Sequence, residues 1–247
     1  CLGSRTGGIR DSWNSEYLAN LNILRLALKR SARKFILLSA ICVQKPKLHF
    51  QHAKLAMENE LIHCGITYTI IRPTAFFKSL AGQVDRVKSG KKFITFDNGE
   101  NTSCKPISET DLAEYICSSL TNPKQENRVL PIGGPSPAIT PLAQGNLLFD
   151  LTGEKPKFLR VPSHLFKVLQ AILTPLSYFS SSFRDRIEFL KIAHYYATES
   201  MLYWENESIG YSCEKTPEFG TESLKYFYMQ VLNKGLDGQD LGSHKLF

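Results

Sequence analysis

Between Lys34 and Leu80 the chain brings into close order Ser39, His49, His52, Lys54 and the triplet Arg72-Pro73-Thr74. These residue types hold, charge and protonate small molecules. A lysine ammonium is a compact positive charge with three donors, and a histidine moves protons near neutral pH. Each residue has a plainer reading as well. Lys54 can be a surface lysine of an amphipathic helix, Ser39 a cap or turn residue, Arg72 to Thr74 a simple turn, and the two histidines solvent-facing side chains. Their order gives them interest. A short apolar run ends at Ser39, a helix-like segment carries Lys54, and a second apolar run ends in Ile71-Arg72-Pro73-Thr74. Ligands of parallel sheets meet the carboxyl ends of strands, where Ser39 and Arg72 to Thr74 then fall, and Pro73 stiffens that loop.

The elements that must position them alternate. Leu21, Leu24 and Leu28, spaced i, i+3 and i+7, predict a helix over 16–31, capped by Asn14 or Ser15. Strands are expected at 34–39, 66–71, 93–96, 104–107 and 129–132, with a turn at Asp97-Asn98-Gly99. Helices are expected at 50–64, near 79–89, and from a Ser108 cap to about 121. This alternation predicts a Rossmann-type parallel sheet with covering helices. After Gly133-Gly134-Pro135 the pattern turns mostly helical, at 140–152, 162–176, 184–202 and 219–234, with one short strand at 157–161. The chain is therefore divided into an α/β part, 1–135, and a smaller, mostly helical cap, 136–247. Leu165, Leu169, Ile172, Leu173 and Leu176 form one apolar stripe. It is read as core, the alternative being a face toward a flat hydrophobic ligand or a membrane surface.

The 247 residues carry a formal charge of +7, with 43% hydrophobic residues, a pI near 9.0 and a mean hydropathy of -0.19. The basic residues are scattered in short clusters without an arginine-rich arm or zinc finger. They indicate a solvated basic surface rather than nucleic-acid binding, one that still attracts an anionic cofactor or a carboxylate-bearing substrate. None of the six cysteines forms a C-x-x-C pair, which excludes a zinc ribbon and an iron–sulfur motif. No metal site is expected, and free thiols in a reducing compartment are. The most apolar stretch, 158–176, is broken by Arg160, Pro162, Lys167 and Pro175, so no membrane span is expected, although peripheral contact is allowed.

Several segments together carry a specific resemblance. They are Leu37-Leu38-Ser39-Ala40-Ile41-Cys42-Val43-Gln44-Lys45-Pro46, Phe50-Gln51-His52-Ala53-Lys54, Arg72-Pro73-Thr74-Ala75-Phe76-Phe77-Lys78, and Cys104-Lys105-Pro106-Ile107-Ser108-Glu109-Thr110-Asp111. Near the end come Thr216-Pro217-Glu218-Phe219-Gly220-Thr221 and Gln239-Asp240-Leu241-Gly242. Across almost the whole chain the sequence resembles the divinyl chlorophyllide 8-vinyl reductases, an NmrA-like branch of the short-chain dehydrogenases/reductases. The resemblance implies NADPH as cofactor, a divinyl chlorophyllide or protochlorophyllide tetrapyrrole as substrate, and a plastid location. Gly3 to Gly8 then matches a loop beside the cofactor. Neither that segment nor Gly133-Gly134 has Rossmann fingerprint spacing. The N-terminal strands and the phosphate loop are expected upstream of Cys1, and the chain alone is expected to bind NADPH poorly.

The resemblance also implies roles. Lys54 hydrogen-bonds the nicotinamide ribose and is the catalytic candidate. Ser39, Lys54, Arg72, Pro73, Thr74 and Phe76 are expected to bind the cofactor. Short-chain reductases carry a Tyr-x-x-x-Lys pair one helical turn apart; here the tyrosine position holds Phe50. A phenol protonates a carbonyl oxygen, which a vinyl group lacks. Its loss fits alkene reduction, and it fits equally a non-catalytic NADP-binding sensor or assembly protein. A reductase of small plant phenolics is a third reading. The proton for the reduced vinyl carbon is left to His49, His52 or water.

Overall fold

A computed structural model describes residues 3–4, 7–178 and 180–235. Helix α1 (Ile9–Ser12) continues through a π-helical stretch (Trp13–Ala19) into α2 (Asn20–Lys29). Strand β1 (Lys34–Leu38), a 3-10 turn (Ile41–Gln44), α3 (His49–His63) and β2 (Thr67–Pro73) follow. Beyond a 3-10 turn at Lys78–Leu80 come α4 (Val84–Lys88), β3 (Phe93–Phe96), α5 (Glu109–Ser118) and β4 (Arg128–Ile132). The remainder is α6 (Pro141–Thr152), β5 (Phe158–Val161), α7 (His164–Ser177), α8 (Ser181–Thr198), the short strands β6 (Tyr203–Trp204) and β7 (Tyr211–Ser212), and α9 (Leu224–Lys234).

The chain divides into two compact units. The first comprises Cys1–Pro73, Ala113–Ile132 and His164–Tyr196; the second comprises Thr74–Leu112, Gly133–Ser163 and Ala197–Phe247. In the first, β1, β2 and β4 form a parallel sheet in that order, in register from Lys34 opposite Thr67 to Leu38 opposite Ile71. The strands KFILL and TYTIIRP are nearly continuous apolar runs because parallel strands bury both faces. Leu37 and Ile70 meet Leu21 and Leu24 of α2 and Met57 and Leu61 of α3 in one core, against which Tyr68 rests.

In the second unit β3 pairs in parallel with β5, a strand from much later in the chain. Phe77, Phe93, Leu148, Phe149 and Tyr228 form its core. Thr140 caps α6 through Ala143 N, and Ser223 caps α9 through Tyr226 N.

Most expected elements are present, with four differences. The first helix begins at Ile9, so Asn14 and Ser15 lie inside it rather than capping it. The helix near 79–89 is broken between Leu80 and Val84. Residues 104–107 make isolated bridges instead of a strand, Cys104 with Ile139 and Met201, Ile107 with Phe76. The apolar stripe of α7 is not core: none of its residues is buried. The turn at Asp97 to Gly99 is present, with Gly99 N donating to Phe96 O and both Asp97 and Gly99 at positive φ. The Gln239 to Gly242 motif and residues 1, 2, 5 and 6 lie outside the described residues.

Candidate active site

At the carboxyl end of β1 the chain enters Ser39, whose N–H donates to Ile71 O at 2.8 Å and so extends the ladder to β2. Ser39 is buried, and its Oγ finds no hydrogen-bond partner among the described residues; the same holds for Ser12 Oγ in α1. A buried hydroxyl without a partner is costly, and Ser39 Oγ could take a hydrogen bond from a polar ligand group. The segment after Ser39 is fastened from α3 by Gln51. Its side-chain oxygen accepts from Lys47 N and Leu48 N, while Nε2 donates to Cys42 O at 3.0 Å.

Lys54 stands almost one turn beyond Gln51. Its Nζ donates to Glu16 Oε2 at 2.7 Å, with the lysine side chain 14% and the glutamate side chain 7% exposed. The other glutamate oxygen accepts from Ser4 N at 2.8 Å. Glu16 therefore ties Ser4 and α3 to one carboxylate. An ammonium has three donors, and Glu16 takes one, which leaves two for a ligand's hydroxyls. The loop is held further by Ser4 Oγ, which donates to Asp11 and accepts from Gly7 N. Gly7 sits at φ +67, and a Cβ there would come within 2.6 Å of Ile192 Cδ1, so the loop's path against α8 requires glycine.

Helix α8 fixes the same region from the other side. Glu188 accepts from His49 N at 2.9 Å, Asp185 from Ile9 N at 3.3 Å, and Tyr195 Oη donates to Cys42 O at 2.9 Å. Cys42 lies in this dry corner, where burial pushes its thiol up to about 11. His49 is half-buried and His52 exposed.

Arg72, near the end of β2, is committed to Glu58 of α3 through a two-pronged pair, Nε to Oε1 at 3.0 Å and Nη2 to Oε2. The guanidinium thus couples strand to helix, while the Arg72 backbone lies in the ladder with β4, in register with Pro131. Pro73 is buried at the strand's end, in register with Ile132. Ser39, Lys54, Arg72 and Pro73 all belong to the first unit.

Thr74 and Phe76 belong to the second. Thr74 Oγ1 donates to Lys105 O at 2.5 Å, and Phe76 bridges to Ile107. Lys105 is buried, with Nζ on Glu218 and on Cys213 O at 3.3 Å. Asp111 accepts from Thr221 N at 3.2 Å and Glu222 N at 3.1 Å. The segments 104–111 and 216–221, far apart in sequence, are thereby one structure. Gly133 and Gly134 serve the same junction: Gly134 N donates to Lys105 O, and a Cβ on Gly134 would lie 2.0 Å from Pro106 O. These glycines permit a backbone crossing rather than a phosphate cradle.

Sequence reasoning missed Glu16, Gln51, Glu58, Glu188 and Lys105 as organising residues. Only Gln51 had a local signal, its place three residues after the N-cap Leu48. Among the described residues no cluster of metal-binding side chains occurs, and no helix is long and apolar enough to cross a membrane.

Residues 3–123 match the NAD(P)H-binding family. The chain is 48% identical over 252 residues to the divinyl chlorophyllide a 8-vinyl-reductase, chloroplastic, of Cucumis sativus, covering 100% of this chain and 60% of the cucumber protein. The enzyme of the same name from Zea mays is 47% identical, covering 100% of this chain and 63% of its own. That of Arabidopsis thaliana is 48% identical, covering 98% and 60%. The chain thus spans about 60% of the length of these relatives.

Among solved structures, the NADPH-dependent quinone oxidoreductase of Escherichia coli, complexed with NADPH, superposes with a TM-score of 0.60 at 13% identity, over 87% of this chain and 71% of that one. The UDP-glucose 4-epimerase of Thermotoga maritima gives 0.55 at 18% identity, over 62% and 58%. These likenesses establish the expected Rossmann-like fold. By sequence, the chain is similar along its whole length to the divinyl chlorophyllide a 8-vinyl-reductases, and its residues 3–123 match the NAD(P)H-binding family model.

Proposed function

We propose that the protein is an NADPH-dependent oxidoreductase of the plastid that reduces the 8-vinyl group of a divinyl chlorophyllide or protochlorophyllide to ethyl. The observation that carries this reading is the 46–48% identity, along essentially the whole chain, to enzymes named for that reaction. NADPH would rest on Ser39, on Lys54 and beside the strand end at Arg72 and Pro73, and when bound it would supply a hydride. Lys54 would direct its two remaining donors at the cofactor's sugar hydroxyls and would keep a positive charge beside the reacting ring. Glu16 sets the position of that charge. Ser39 Oγ would gain the partner it lacks among the described residues. Phe50, one turn before Lys54, offers no proton, which suits a substrate whose reduced atom is carbon. The proton reaches that carbon from water or from a histidine near the start of α3.

The test is incubation of the full-length protein with NADPH and either divinyl pigment, followed by chromatographic separation. Monovinyl product is expected, with Lys54→Ala slowing its formation about a hundredfold or more, as loss of a preorganised charge does. Phe50 in place of tyrosine also supports a second reading, a non-catalytic NADP-binding sensor or assembly protein. Binding of NADPH without monovinyl product from either pigment would select it.

A further inference from the structure

The candidate active site leaves one large feature of the first unit unused. Helices α7 and α8 enclose an open groove of about 700 Å³, walled by Leu169, Ile172 and Leu173 on one side and by Phe189, Leu190 and Arg186 on the other. That volume lies within the roughly 300–1,000 Å³ typical of small-molecule sites. The sequence of α7 is built to present such a wall. Leu165, Val168, Leu169, Ile172 and Leu176 recur at i, i+3, i+4, i+7 and i+11, and all are exposed, Ile172 to 62%. An apolar stripe facing solvent is the kind of surface that a ligand or partner covers.

The charge in the groove narrows the occupant. Arg186 has no carboxylate partner among the described residues; its guanidinium lies over the Phe183 ring at 5.5 Å. The neighbouring Asp185, which also lines the groove, gives one oxygen to Ile9 N. The ligand chemistry that fits is a broad apolar body carrying a carboxylate.

The groove is also coupled to the candidate active site through α8 itself. Residues in its α8 wall or one or two positions from it hold that site's loops: Asp185 takes Ile9 N, Glu188 takes His49 N, and Ile192 lies against Gly7.

We propose that the α7–α8 groove is the tetrapyrrole-binding site, with the macrocycle against Leu169, Ile172 and Phe189 and its free propionate paired with Arg186. This inference rests on the vinyl-reductase reading and deepens it. A two-pronged arginine–carboxylate pair is specific for the free acid, so esterifying the propionate mimics the loss of Arg186.

The experiment is a fluorescence titration of the full-length protein with chlorophyllide a and with its propionate methyl ester, alongside turnover of the divinyl pigment. The unmodified protein is expected to bind the acid about tenfold or more tightly than the ester, the worth of a charge-assisted hydrogen bond. Arg186→Ala abolishes that preference by weakening only the acid. Ile172→Asp weakens both pigments, and NADPH affinity stays unchanged in both variants. Pigment binding and turnover that persist unaltered in both variants overturn the groove assignment while leaving the reductase reading intact. Loss of co-sedimentation with phosphatidylglycerol vesicles in Ile172→Asp, with pigment affinity unchanged, overturns it in favour of a lipid surface. Failure of the unmodified protein to bind or reduce either pigment removes both readings.

Discussion

At the scale of single residues, the candidate site is organised by groups that take protons or charge out of water. Cys42 is the clearest case. It is 5% exposed, and burial pushes its thiol up to about 11, whereas in an unfolded chain it ionises near about 8.5. The folded state therefore favours the neutral thiol. Its contribution is complete below the unfolded value and is lost as pH rises through about 11. Two to three units correspond to about 3 kcal/mol. Urea titrations between pH 8 and 11 should show stability falling with pH, and Cys42→Ala should flatten that fall; an unchanged slope would contradict the burial of this thiol. Lys54 and Glu16 illustrate the limit of reading residues singly. Lys54 was legible because a lysine four residues after an aromatic sits at helical spacing. Glu16 was not, because its partner lies 38 residues away and no periodicity connects them.

At the scale of elements, α3 explains why some of the fold could be read and some could not. Strands β1, β2 and β4 announce themselves as apolar runs, and α3 announces its length. Yet α3 is buried along two lines. Ala53, Met57 and Leu61 form the apolar one, while Gln51, Lys54 and Glu58 form a polar one whose members each have a partner. Such a helix blurs the pattern from which a single buried face is inferred. The start of the first helix was misplaced for a related reason. Asn14 and Ser15 have cap chemistry, but the helix continues from Ile9 through a π-helical stretch that propensity does not register. Residues 104–107 read as a strand from their composition, and their bridges come from segments distant in sequence.

The Glu58–Arg72 pair, which joins α3 to β2, offers the test at this scale. Glu58→Ala leaves a largely buried guanidinium unpaired and should cost about 3 kcal/mol. The double change Glu58→Met with Arg72→Met should recover most of that loss. Urea unfolding read from Trp13 in a Trp204→Phe background reports on the unit that contains the pair. Equal losses in the single and double variants would contradict the coupling.

At the scale of the whole molecule, composition gave only boundaries: a chain of net charge +7 with no C-x-x-C pair. The resemblance to the vinyl reductases rests on motifs spread along the chain. The structure shows that two of them, 104–111 and 216–221, are one interlocked junction. The groove between α7 and α8 was visible in the sequence as a stripe but was taken for core, since an apolar stripe by itself does not say which side water is on.

The central claim is that the protein is a catalytic reductase with hydride supplied by NADPH. Its most direct test is a single turnover of the full-length protein with divinyl chlorophyllide and NADPH deuterated at the transferable position, with the pigment product examined by mass spectrometry. The account predicts a monovinyl product carrying deuterium in its new ethyl group. Bound NADPH with unchanged divinyl pigment, or a monovinyl product free of label, would contradict it.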